Sequence, residues 1–247
     1  MVKKSLILSI TFMVIIISGI CQTKSIEGTF GINVGLNSLE VNIGDEEILN
    51  KFFYNTLGFE FDYFPSDNIE LGFLAGYSFK HFEENIFFIQ LPVSLSLEKK
   101  KINSMYFGTR ITWQPIYWED FFINIRGCLT FFKLFKINNE IQFPSITGSS
   151  ELKSSFFQTS LAVFLNWDKL SGITLFCGPK LNLTGGKIIA SQQLGSISGD
   201  QTLVFNQIRP LGLCLGAVVE IFETFEIKLR MDIISQLSLQ CGVFYEF

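Results

Sequence analysis

Glu226, Lys228, Arg230 and Asp232 recur at every second position, so an extended chain carries all four on one side. Such a row binds an ionic group or, more simply, neutralises itself. Arg110 and Arg126 fall on adjoining extended segments and need acidic partners across an interior. Glu60, Asp62, Glu70, Lys80, Lys180, Arg209, Glu220 and Glu246 share the same phase, so both signs of charge are present in near balance. Enclosed charges of this kind are tolerable only when they pair. The single histidine, His81, lies beside Glu83 and Glu84 and has the chemistry of a general base for a nearby serine. A solvated loop histidine is the plainer reading, and no GxSxG or HExxH pattern accompanies it. Cys128, Cys177, Cys214 and Cys241 show neither CxxC nor Cys/His spacing, and strand phases set Cys177 and Cys214, and likewise Cys214 and Cys241, on opposite faces, which opposes disulfides. We assign no catalytic residue, cofactor or metal from these patterns.

The elements that position these groups are extended strands. In the last eleven residues, Leu237, Leu239, Cys241, Val243, Tyr245 and Phe247 take one side and Ser238, Gln240, Gly242 and Glu246 the other. Near the start, Phe30, Ile32, Val34 and Leu36 alternate with Gly31, Asn33, Gly35 and Asn37. One face is bulky and apolar while the other is small and polar. A barrel surrounded by lipid has this arrangement, with hydrocarbon outside and small or charged groups within.

Composition agrees. Of 247 residues 48% are hydrophobic and 28 are Phe, yet beyond the N-terminus no apolar run approaches the roughly 20 residues of a spanning helix. Lys3 and Lys4, an apolar core from Leu6 to Ile17, and then Ser18, Gly19 and Cys21 follow the order of a secretory signal peptide, placing cleavage after residue 21 and one domain over 22–247. Ile20 before Cys21 fits lipidation poorly. Cleavage removes two lysines and moves the net charge from −4 to −6, which offers no basic surface for nucleic acid.

Along the chain the same device repeats. Strand-like Leu57–Tyr63 turns at Pro65–Asn68 into Ile69–Phe79, and further hairpins turn at Trp118–Asp120, Trp167–Lys169 and Phe222–Thr224. Aromatics beside these turns suit a membrane interface. Residues 38–56, 138–154 and 185–201, rich in Asn, Ser and Gly, read as long connections at the other rim. The count is ten strands. The segment Phe87–Leu97 adds one more and, paired with 140–147, makes twelve. The expected fold is an all-β, antiparallel up-and-down transmembrane barrel of about ten strands.

The stretches FGINVGLN (Phe30–Asn37), FIQLPVSLSL (Phe88–Leu97), LFCGPKLNL (Leu175–Leu183) and the run from LGLCLGAVVEIF to CGVFYEF resemble the "porin family" of small outer-membrane barrels, similar to OmpA and OmpX and typical of Bacteroidota-type bacteria. That resemblance implies a bacterial outer-membrane location and little about activity. It implies further that Val243, Tyr245 and Phe247 form the signal read by the barrel-assembly machinery, and that outer-membrane lipid and lipopolysaccharide are partners. Lys99, Lys100 and Lys101 form a basic turn, a solvated loop on the plain reading and a lipopolysaccharide contact on the other. Three functions follow as expectations: a non-enzymatic barrel with a structural, adhesive or narrow-pore role; a lipid- or peptide-hydrolysing barrel using His81; and a periplasmic, lipocalin-like binding barrel with an apolar interior.

Overall fold

Period-2 alternation from Phe30 to Phe247 commits the chain to strands. In the computed structural model, which describes residues 27–44, 48–82, 86–88, 95–97, 102–134, 137–142, 147–222 and 224–247, nearly all of them lie in strands. The first seven are β1 (Gly28–Ile43), β2 (Ile48–Ser66), β3 (Ile69–Phe82), β4 (Ile86–Phe88), β5 (Leu95–Leu97), β6 (Ile102–Trp118) and β7 (Phe121–Leu134). The remainder are β8 (Ile137–Gln142), β9 (Thr147–Leu170), β10 (Ile173–Leu194), β11 (Ile197–Gln207), β12 (Leu211–Ile221), β13 (Phe225–Ile233) and β14 (Leu237–Glu246). The signal-peptide segment, 1–21, and Lys99–Lys101 lie outside the described residues.

Antiparallel pairing runs β1-β2-β3-β6-β7-β9-β10-β12-β13-β14 and returns to β1, closing a barrel of ten strands. Closure leaves no unpaired edge, the condition for strands to survive in hydrocarbon. The inside-out arrangement holds: Ile32, Phe73, Leu213 and Leu229 face outward at 37% exposure or more, while Asp62, Lys180 and Asp232 are enclosed. Replacing Leu229 with Arg is expected to cost about 2–4 kcal/mol, because the charge enters the hydrocarbon near mid-span. Urea titration of the refolded barrel measures it, and an unchanged midpoint contradicts the assignment of faces.

Three sequence expectations are corrected. Residues 38–56 are not a loop but the upper ends of β1 and β2, paired from Ser38↔Phe53 to Ile43↔Ile48. Likewise 147–154 and 185–194 are the upper ends of β9 and β10, in register from Leu194↔Gly148 to Gly185↔Phe157. Their composition misled for a physical reason. On β1 the inward positions change from Gly31, Asn33, Gly35 and Asn37 to the buried Leu39, Val41 and Ile43, while the outward positions change from Ile32, Val34 and Leu36 to Ser38, Glu40 and Asn42. The phase is continuous and only the polarity reverses. Below the reversal the wall suits lipid; above it the wall suits water. Finally, the described parts of 86–97 add no barrel strand. They pair with each other as Ile86↔Leu97, and β8 pairs with the upper part of β9, not with that segment.

The wall also changes strand number along its axis. β11 and β12 are two parts of one descending strand on β10, interrupted at 208–210, where the Asn182 amide donates to the Pro210 carbonyl at 2.7 Å. The β13–β14 hairpin stops at residues 234–236, about mid-height, and beyond it β11 pairs directly with β1 at Val41↔Gln207 through Ile43↔Phe205. The upper section, two strands fewer, is a collar. Inside it Leu39, Val41, Ile43, Phe52, Tyr54, Phe132, Leu152, Phe156, Ile188, Ala190 and Phe205 form one buried apolar cluster.

A luminal charge network as the candidate functional site

Below the collar the lumen is polar, and a cavity of about 350 Å³ extends from Phe64, Phe122 and Glu226 near the short turns up to Tyr54 and Phe132. It ends at the aromatic cluster. Two hubs of charge line it.

The first hub is Arg110 on β6. Its guanidinium is shared among Glu60, at the shortest contact, Asp62 at 2.6 Å and Glu70 at 2.7 Å. These acids come from β2 and β3, whose inward phases deliver them to one spot. Gly72 on β3 makes the room: a Cβ there would stand 2.8 Å from Asp62 Oδ1 and 3.1 Å from Arg110 Cβ, so any side chain displaces the pair. Asn33 donates to Glu60 at 2.9 Å, Thr29 donates to Asp62 at 3.1 Å, and Lys228 reaches Asp62 at 3.6 Å and Glu226 at 3.3 Å.

The second hub is Asp232, fully buried near the top of β13. Lys180 lies 2.7 Å from its Oδ2, Gln236 and Ser238 donate to the same oxygen at 2.9 and 3.3 Å, and Arg230 Nε faces Oδ1 at 3.3 Å. Gln236, at the hairpin tip, accepts from Gln158 Nε2 at 3.1 Å and from Asn182 Nδ2 at 3.0 Å. Gln207 receives a second bond from Asn182 and donates to the Ser235 carbonyl at 2.9 Å. The tip of the short hairpin is thereby tied to β9, β10 and the interruption between β11 and β12. Gln158, Asn182, Gln207 and Gln236 were invisible as site residues in the sequence, since a lone amide on an alternating strand carries no motif. Only the interruption of pairing near residues 207–210 and 234–236 marks where such groups are needed.

Other residues expected in the network fare differently. Arg126 has no acidic partner within 4 Å among the described residues: it donates to Thr112 at 3.3 Å and lies 5.3 Å over the Phe164 ring. Glu60, Asp62 and Glu70 are taken by Arg110. Arg209 is not luminal; it sits in the strand interruption, largely exposed, 3.7 Å from Glu40. Glu220 stands exposed by the short turns, and among the described residues Glu226 pairs with Lys228. Lys80, opposite Tyr54 on β2, is enclosed with its ammonium 3.9 Å from the Phe156 ring centre and 4.7 Å from that of Phe132. His81 sits on β3 opposite Phe53, and its side chain lies outside what the structure describes. The four cysteines Cys128, Cys177, Cys214 and Cys241 are free. At the C-terminus, Val243 and Tyr245 face outward, and Phe247 stacks on Phe61 at 6.2 Å.

A closed barrel, apolar outside, with a charged lumen defines the class of outer-membrane β-barrels. Comparison with solved structures agrees. The chain is similar to the translocator domain of the autotransporter NalP from Neisseria meningitidis, with a TM-score of 0.50 and 11% identity over 99% of this chain and 98% of that one. It is similar also to the outer membrane protease OmpT from Escherichia coli, with a TM-score of 0.54 and 6% identity over 91% of this chain and 99% of that one. At these identities the likeness is one of fold. No protein-family profile matches the sequence, and no curated protein matches it in sequence.

Proposed function

We propose that the chain is an integral protein of the bacterial outer membrane, with its short turns and both chain ends in the periplasm, and that it works as a closed, non-enzymatic barrel with a structural or adhesive role. The observation that carries this is the stopper. Phe52, Tyr54, Phe132, Phe156 and Phe205 pack inside the collar, Phe132 and Phe156 stacked at 4.1 Å between centres. Rings packed this closely leave no continuous path for water and ions, although Asn50, Lys80 and Gln192 are enclosed among them. The salt-bridged lumen below it holds strands together and conducts nothing.

Recording from the purified protein in planar bilayers tests the reading. No conductance steps are expected, and stable steps would favour the narrow-pore alternative. Cell fractionation tests the location, since recovery in soluble periplasm counts against a membrane protein. A lipocalin-like binder needs an apolar cavity, whereas this one is lined by Glu60, Glu70, Arg110 and Arg126. The hydrolase alternative rests on His81, and a hydrolytic activity abolished in His81→Ala would support it. The outward alternation of β14 through Val243 and Tyr245, with Phe247 directly after it, suits recognition by the assembly machinery.

A further inference from the structure

The lipid-facing wall is uneven. Across β6, β7 and β9 the outward residues Thr109, Gly127 and Thr159 are small, while Phe73, Ile111 and Leu183 around them are large. The result is a shallow apolar groove of about 540 Å³. Its floor is Gly127, where an added Cβ would meet only Ile111, at 3.5 Å.

Followed toward the collar, the same strands pass a row of outward Phe131 and Phe157 and then carry lysines. Lys133 and Lys187 flank Ser155 in one register row, and Lys153 stands two residues farther along β9 on the same face. All three are exposed. Lys153 is paired with Glu151 at 2.6 Å, whereas no carboxylate lies within 4 Å of Lys133 or Lys187 among the described residues. From Gly127 to Lys133 is six residues of strand, on the order of 20 Å. Fixed positive charge thus sits at the level where the wall changes from lipid-compatible to water-compatible, directly above a furrow in the hydrocarbon-facing surface.

We propose that this wall holds one molecule of a phosphorylated glycolipid of the outer leaflet, of the lipid A class, with an acyl chain in the Gly127 groove and its phosphates on Lys133 and Lys187. The proposal rests on the outer-membrane reading above. A compact ammonium serves phosphate as a point charge, and two of them flanking one row match a headgroup bearing more than one phosphate. The acyl groove adds burial that a free phosphate ion has no means to use.

Native mass spectrometry of the barrel released from detergent, with added lipid A, dephosphorylated lipid A or phosphatidylglycerol, tests it. One lipid A is expected to stay bound to the native protein. Lys133→Ala with Lys187→Ala should lower its affinity by about thirtyfold, the loss anticipated for two lysines facing anionic lipid. Dephosphorylated lipid A should bind the native protein as weakly as lipid A binds that variant. Gly127→Phe, which fills the groove from outside, should weaken lipid A while leaving the phosphate dependence in place. Lys169→Ala, at the opposite rim, should have no effect. Equal retention by the lysine variant, equal binding of phosphatidylglycerol, or undiminished binding to Gly127→Phe overturns the assignment. Heat-modifiability on gels shows that each variant is folded, and Lys133→Gln with Lys187→Gln serves if the alanine pair is not. Insertion into membranes is scored separately by fractionation, so loss of the lipid site is distinguishable from failure of the outer-membrane reading.

Discussion

Asp232→Ala is expected to destabilise the barrel by about 3–5 kcal/mol, the cost of leaving a buried cation without its partner. Asp232 accepts from Lys180, Gln236 and Ser238 on one oxygen and faces Arg230 on the other, and both it and Lys180 are almost wholly enclosed. Removing the carboxylate strands the Lys180 ammonium and releases the amide that ties down the hairpin tip. The damage should therefore be local as well as global. Amide exchange at residues 233–238 should accelerate before the rest of the barrel opens, because that hairpin ends at mid-height and is held from above by side chains alone. Combining Asp232→Ala with Lys180→Met should recover part of the loss, since it removes one of the two stranded cations and leaves Arg230. Equilibrium unfolding in urea reads both effects. A single variant within about 1 kcal/mol of the native protein would mean the hub is solvated and not structural.

Arg110→Ala should be equally severe, for the opposite charge. Glu60, Asp62 and Glu70 converge on one guanidinium, and without it three carboxylates crowd one side of the lumen, with Lys228 left 3.6 Å from Asp62 alone. A loss of about 3–5 kcal/mol is expected. Arg110→Lys should rescue little, because a single ammonium replaces a fork that meets three acids from fixed directions. Adding Glu60→Gln and Glu70→Gln to Arg110→Ala should restore folding by removing two of the three repelling charges, and refolding yield measured by heat-modifiability checks it. If the neutralised triple variant is no better than Arg110→Ala alone, the deficit lies in packing around Gly72 and not in charge.

Both hubs stiffen the lower barrel, while the collar is held by another force. Its interior is a largely apolar core that also encloses Asn50, Lys80 and Gln192, and its rings pack above the charged lumen. Lys80 is the charge enclosed at that level, its ammonium placed against the Phe132 and Phe156 rings. Cation–π contact of this kind offsets part of the cost of burying a charge.

Alternation and polarity alone determined that the chain forms an antiparallel barrel of about ten strands with hydrocarbon outward, because side-chain direction in a strand has period two and needs no tertiary context; that the count is ten and not twelve came from the pairing. For the same reason the inward direction of Glu60, Glu70, Arg110, Arg126, Lys180 and Arg230 was readable before any coordinates. Tertiary structure decided the rest. Residues 38–56 looked like a loop because their outward positions are polar, and only the pairing of Ser38–Ile43 with β2 and β11 reveals a wall that leaves lipid and enters water without changing phase. Which charges pair was equally illegible: Arg110 and Arg126 are equivalent in sequence, yet one collects three acids and the other none, since partner choice depends on the stagger between strands that are distant in the chain. The collar's closure of β11 onto β1, and with it the stopper, likewise arises from the height at which the β13–β14 hairpin ends relative to its neighbours, and no local pattern encodes that height.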